Sequence, residues 1–233
     1  MKFLRRAKTR TATDGETAVD QDSREDGVAE ADGAEESDET GAEETAPAGP
    51  YDADETPEDL VDDSWVDLGS LLVAPAPGKE LRLQVDEASG AIASVLLAAE
   101  DGALELRAFA APRDGDLWSE ALPLLRADVA QRGGATSDRE GPWGAELLCQ
   151  LTVQTPDGQT GVQASRIIGV NGSRWMLRAT LLGRPAVDEE AGREWEQLLG
   201  QVVVRRGKEA KPKGEALPVV LPANAHRVDA PEE

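Results

Sequence analysis

Asn171-Gly172 lies between two apolar-rich runs, GVQASRIIGV and SRWMLRATLL, and no other stretch narrows the possible folds as far. A two-residue type I′ turn needs positive φ at both positions, which Asn and Gly tolerate, so the pair predicts a tight β-hairpin over residues 161–182. Placing Val170 opposite Ser173 pairs Ile168 with Trp175, Arg166 with Leu177, Ala164 with Ala179 and Val162 with Leu181 on one face. The other face carries Ile167 with Met176, Ser165 with Arg178 and Gln163 with Thr180, and is more polar. The first face is therefore the core side. Arg166 is the exception on it: the side chain must reach the sheet margin, find a carboxylate partner, or move the register by one residue.

The rest of the chain is arranged around that hairpin. Residues 65–73 form the first apolar segment, and Pro75-Ala76-Pro77-Gly78 bends the chain after it. Residues 80–85 alternate, with Leu81, Leu83 and Val85 on one side, as a half-buried strand requires. Residues 91–98 read as a second strand, and Glu100-Asp101-Gly102 turns into a third with Leu104, Leu106 and Ala108 inward. Asp116 is placed to cap a helix running to about Arg132, with Leu117, Ala121, Leu124, Leu125 and Val129 on one stripe and Gly133-Gly134 as its stop. Pro123 inside that span predicts a kink, or a regular helix that starts only near Ala121. From Trp143 the period returns to two, with Ala145, Leu147, Cys149, Leu151 and Val153 facing one way and Glu146, Gln150 and Thr152 the other. A second helix over 187–199 carries Ala191, Trp195, Leu198 and Leu199 on one face, Gly200 ends it, and 201–205 can add an edge strand.

This order predicts an α+β fold: an antiparallel sheet with two main helices packed on one face, flanked by disordered tails. The folded domain is expected over 64–206, an ordinary domain size.

Charge sets the outer limits. Residues 11–64 hold 21 acidic residues against the single base Arg24, and so carry −20 of the formal net charge of −22, with Tyr51 their only aromatic. Such a segment has too little apolar surface to offset backbone ordering entropy, and predicts a disordered leader over 1–63. Residues 207–233, Pro-rich and of alternating charge, predict a second loose tail.

The first ten residues, MKFLRRAKTR, carry five bases but lead into no apolar run of the kind a signal peptide needs. No stretch approaches the roughly 20 apolar residues of a transmembrane helix. The cytoplasm is expected, and the lone Cys149 agrees, since a single cysteine builds no internal disulfide framework. Asn171-Gly172-Ser173 matches a glycosylation sequon and is read as turn chemistry.

The stretch 65–206, with its acidic leader and the run RWMLRATLLGRPA, resembles an actinobacterial domain-of-unknown-function family. The resemblance implies a high-GC source and a cytosolic setting, and assigns no activity and no site residues. The element order is also similar to that of the PsbP-type α-β-α sandwich, a topological likeness that transfers no function.

Motifs for chemistry are sparse. The only histidine is His226, in the expected C-terminal tail, and no Gly-x-Ser-x-Gly elbow is present, so a nucleophile–base triad has no support. Cys149 falls on the apolar side of a strand, where a thiol acts as a small hydrophobe. One Cys and one His cannot furnish a zinc site, Asp20, Asp22 and Asp26 lack the pattern of a calcium loop, and no Gly-rich phosphate cradle follows a strand. No catalytic residue, cofactor or metal ligand is therefore assigned. Of the five tryptophans, Trp175 and Trp195 are expected in the core with Trp65 unassigned, whereas Trp118 and Trp143 begin elements beside polar residues and are the candidate recognition surface.

A folded part with slightly more acid than base disfavours direct nucleic-acid binding, and the acids beside MKFLRRAK oppose stable membrane association. An acidic leader suits a basic protein partner. The sequence thus predicts a non-catalytic cytosolic protein-interaction domain, with a small-molecule-binding domain or an enzyme using a pocket between sheet and helices as the alternative.

Overall fold

The computed structural model describes residues 48–86, 88–154 and 158–222. The leader before Ala48 and His226 lie outside them. In chain order the elements are β1 (Tyr51–Asp52), β2 (Val66–Asp67), β3 (Leu71–Val73), β4 (Glu80–Val85), β5 (Ile92–Ala98), β6 (Gly102–Ala110), α1 (Leu117–Gln131), β7 (Ala135–Gly141), β8 (Gly144–Gln154), β9 (Thr160–Asn171), β10 (Trp175–Gly183), α2 (Glu189–Gln201) and β11 (Val203–Val204). A single 3₁₀ turn, Arg184–Ala186, links β10 to α2.

The expected α+β sheet with two helices packed on one face is overturned: the protein is mostly β and has two sheets. The larger has seven strands in the order β4-β5-β6-β10-β9-β8-β7, and the smaller four, β1-β11-β3-β2. Alternation in the large sheet separates two cores. One face carries Leu104, Leu106, Ile168, Leu177, Ala179 and Leu181, and buries them with Trp195 and Leu199 of α2 and with Leu71, Val73 and Val204 of the small sheet. The other carries Leu147, Cys149, Ile167 and Met176 against Leu117, Trp118 and Val129 of α1. The helices thus lie on opposite faces, and the second sheet supplies much of what closes the larger core. It escaped the sequence because its strands are two or three residues long and come from distant parts of the chain, too short to show a period.

Both expected domain boundaries move outward. Tyr51 and Asp52 run parallel to Val203 and Val204, inside the segment whose charge predicts a leader. Beyond residue 206, Ala216 bridges Phe109 and Val219 bridges Gly69, so the C-terminal segment occupies the edge of β6 past the end of β5 and ties the two sheets together. Leu217 is buried in the larger core. A chain starting at Ser64 is therefore expected to be less stable than one starting at Ala48. It loses Tyr51 N–H to Val202 O (2.9 Å), Ala53 N–H to Val204 O (3.0 Å) and the Trp143 indole to Gly49 O (2.6 Å). At about 1 kcal/mol net per bond the cost is on the order of 3 kcal/mol, and thermal melts of the two chains would check it; equal melting temperatures would contradict it.

The hairpin forms, but not through a type I′ turn. Leu177 opposes Val170, Ala179 opposes Ile168 and Leu181 opposes Arg166, a shift of four residues from the predicted pairing. Because four is even, every side chain keeps the face assigned to it. Neither Asn171 nor Gly172 has positive φ. Both residues are engaged elsewhere. Asn171 Oδ1 accepts the Trp118 N–H at 3.1 Å and its Nδ2 donates to Asp116 Oδ1 at 2.8 Å, while a Cβ at Gly172 would overlap the Trp175 indole. The Gly172 N–H donates to Trp175 O at 2.8 Å, so the chain reverses at Ser173 and Arg174, two residues beyond the predicted turn.

Asp116 caps α1, which is helical from Leu117 through Pro123 to Gln131, so the helix does not wait for Ala121. Leu124, assigned to its apolar stripe, is exposed. Among the described residues no helix is long and apolar enough to cross a membrane.

Candidate functional site

The structure places the two tryptophans expected to form a recognition surface differently, Trp118 in a core and Trp143 partly exposed. Trp118 is only 4 % exposed; its indole N–H donates to Ala145 O at 2.7 Å, and its ring lies where a Cβ on Gly169 would stand. Trp143 is half-buried, with its N–H committed to Gly49 O. Polar neighbours in sequence suggest exposure for both, yet each N–H instead reaches a backbone carbonyl distant in the chain. Trp175 and Trp195 do join the same buried cluster, as expected.

The fold instead opens a groove of about 550 Å³ at one end of the large sheet. Three segments meet there. The chain around β1 brings Asp52 and Glu55, the connection from β6 to α1 brings Asp114 and Asp116, and the β9–β10 loop brings Asn171 and Ser173 over Trp175. The connection is fastened to the loop by Asp114 N–H to Ser173 O and Ala111 N–H to Arg174 O, both 2.9 Å. Asp114 is held at φ 52°, a left-handed conformation that costs a non-glycine residue energy.

The carboxylates are held in place. Asp52 Oδ2 accepts the Trp175 indole N–H at 2.9 Å and the Ser173 hydroxyl at 2.8 Å, and Oδ1 accepts the Asp54 N–H at 3.1 Å. Burial pushes the Asp52 carboxyl up, but these bonds and the Arg174 charge outweigh it and hold the group below its usual range. Arg174 itself donates to Gly207 O at 2.9 Å. The Ser119 hydroxyl and N–H, helped by Asn171, hold Asp116 low against a small opposing effect of burial. Both groups are therefore anionic at neutral pH.

For a carboxyl held low by folding, the stabilising contribution is present above the ordinary carboxylate range and is lost as pH falls through the lowered value. Acidification below that ordinary range is thus expected to loosen the Asp52 and Asp116 contacts. Asp116→Ala should cost about 1 kcal/mol at neutral pH, a typical helix-cap loss, and flatten part of the acid limb of a stability–pH curve. An unchanged acid limb would contradict the assignment.

Chemically, the groove presents anions and hydrogen-bond acceptors to a cation. Among the described residues no three His, Cys, Asp or Glu side chains converge as metal ligands. Cys149 is buried, and burial pushes its thiol up, against weaker opposing effects of Ser165 and Arg126. Sequence reasoning misses this site because charge alone groups Asp52 and Glu55 with the acidic leader and leaves Asp114 in a polar loop. Tyr51, the single aromatic of the acidic run, is the available sign that folding reaches that far.

A second charged group is sealed. Arg166 reaches Glu146 through Nε (2.5 Å) and Nη2 (2.9 Å), and Nη2 reaches Glu196 at 2.5 Å. Arg139 lies 3.8 Å from Glu146 and 3.2 Å from Glu189 at the rim. The Arg166 and Glu146 side chains are 1 % and 0 % exposed, so no ligand enters, and the group joins β8, β9 and α2. Of the three ways open to Arg166, the carboxylate partner is the one realised. Glu146 sits with Arg166 on the core face, although alternation alone makes it part of the polar side of its strand.

Fold and site thus define a mostly β, two-sheet protein with an open anionic groove. The chain belongs to the family described as Protein of unknown function (DUF3710), which matches residues 49–228. No curated protein matches it. A crystal structure from Bacteroides thetaiotaomicron VPI-5482 is similar over 61 % of this chain, at 12 % identity and a TM-score of 0.37. The chain spans 48 % of that protein's length.

Proposed function

We propose that this protein is a non-catalytic, cytosolic interaction domain that takes a lysine- or arginine-bearing segment of a protein partner in the groove over Trp175. One observation supports the reading above the rest: four carboxylates delivered by two separate segments face one open groove. Asp52 and Asp116 are fixed by hydrogen bonds, which lowers the entropy a cationic ligand would have to remove on binding. Glu55 and Asp114 are exposed and supply the approach field. The actinobacterial source and the PsbP-type likeness belong to this proposal as well, though nothing in it depends on them.

Calorimetric titration of the full chain with an arginine-rich peptide tests the reading. Binding should weaken several-fold between low and physiological salt, and further in Glu55→Gln/Asp114→Asn, whose side chains make no core contact. Equal affinity in the native and neutralised chains would overturn it. A small neutral metabolite that raises the melting temperature where the peptide does not would favour a pocket for small molecules instead.

A further inference from the structure

On the α1 side of the large sheet, Arg107 of β6 and Arg178 of β10 are direct cross-strand partners. Like charges so placed repel, and both residues are half-buried, so water screens them poorly. Each guanidinium lies 5.6 Å from the centre of the Phe109 ring, which stands beside them. Phe109 packs against the α1 core, and Arg178 is flanked by Arg107 of β6 on one side and Gly169 of β9 on the other. Among the described residues neither arginine makes an ion pair or hydrogen bond to a carboxylate, and Arg107 Nε is buried with no acceptor. Burial and the Arg107 charge, in that order, draw the Arg178 guanidinium below its usual value, with Glu105 acting the other way. Glu105 lies two residues from Arg107 on the same face, opposite Thr180.

An anion would relieve the repulsion within a half-desolvated arginine pair, and two planar guanidinium groups offer the paired N–H donors that oxyanions accept. We propose that Arg107 and Arg178, floored by Phe109, form a binding site for a small oxyanion, the phosphoryl or carboxylate group of a ligand, separate from the acidic groove. Glu105 opposes that anion and limits its affinity.

The test uses the full chain, with the arginine Nε–H resonances followed while inorganic phosphate or acetate replaces chloride at constant ionic strength. Arg107 and Arg178 should shift saturably. Tighter saturation by phosphate identifies a phosphoryl ligand, and tighter saturation by acetate a carboxylate. Arg178→Gln should weaken binding by about tenfold or more, the loss of a charge-assisted hydrogen bond, and Glu105→Gln should strengthen it. Should Arg178→Gln fail to fold, Glu105→Gln still decides. Shifts that are linear and equal for phosphate, acetate and chloride, or saturation unchanged in both variants, would overturn the proposal.

Discussion

Arg166→Met is expected to lower the unfolding free energy by about 3–5 kcal/mol, because it leaves buried carboxylates without their counter-charge. Glu146 has no solvent-exposed side-chain surface and Glu196 is only 12 % exposed, and Arg139, at 3.8 Å, is too distant to replace the two short bonds that Glu146 loses. Burial alone would lower the Arg166 guanidinium; Glu146 and Glu196 outweigh it and raise the group, so Arg166 stays charged in the folded state. Replacing Arg166, Glu146 and Glu196 together by Met, Leu and Leu should recover most of the loss, since the desolvation penalty disappears with the charges. Urea unfolding of both variants checks this. A single variant within 1 kcal/mol of the native chain would show that water reaches the cluster.

The second large effect falls on α2. Trp195→Ala should cost about 3–5 kcal/mol, the range for truncating a buried aromatic. Trp195 is 1 % exposed and belongs to the core that the two sheets share with Leu199. The Lys79 ammonium lies 4.8 Å above the ring while pairing with Glu194, so truncation also removes the surface on which that lysine rests. Trp195→Phe, which keeps much of the volume, should lose less than half as much. A loss below 1 kcal/mol for the alanine variant would mean that α2 is not closing the core.

Strands that alternate apolar and polar residues over six or more positions are legible in the sequence, whereas β7, seven residues reading ATSDREG with no large apolar side chain, shows no such signal and is missed. β4, β6, β8, β9 and β10 fall where periodicity puts them, and Asp116 caps α1 as its side chain allows. The face of each residue in the hairpin survives even a four-residue register error, since parity decides it. The turn itself is not legible, because Asn171 and Gly172 answer to partners that no local turn pattern encodes, Trp118 and Trp175. The small sheet and the two outward boundary shifts are illegible for the same reason. Tyr51–Asp52 and Val203–Val204 are strands only because they meet each other and β3. The groove shares that origin, as its walls come from segments some 120 residues apart, seen in Trp175 donating to Asp52.

The Trp175 indole N–H reports on the proposed site directly, because it donates to Asp52 at the floor of the groove. Following its ¹H–¹⁵N resonance as an arginine-rich peptide is added to the full chain should give a saturable shift whose midpoint moves to higher peptide concentration in Glu55→Gln/Asp114→Asn. A resonance that stays put at saturating peptide, or that has the same midpoint in the neutralised chain, would contradict a cation-binding role for this groove.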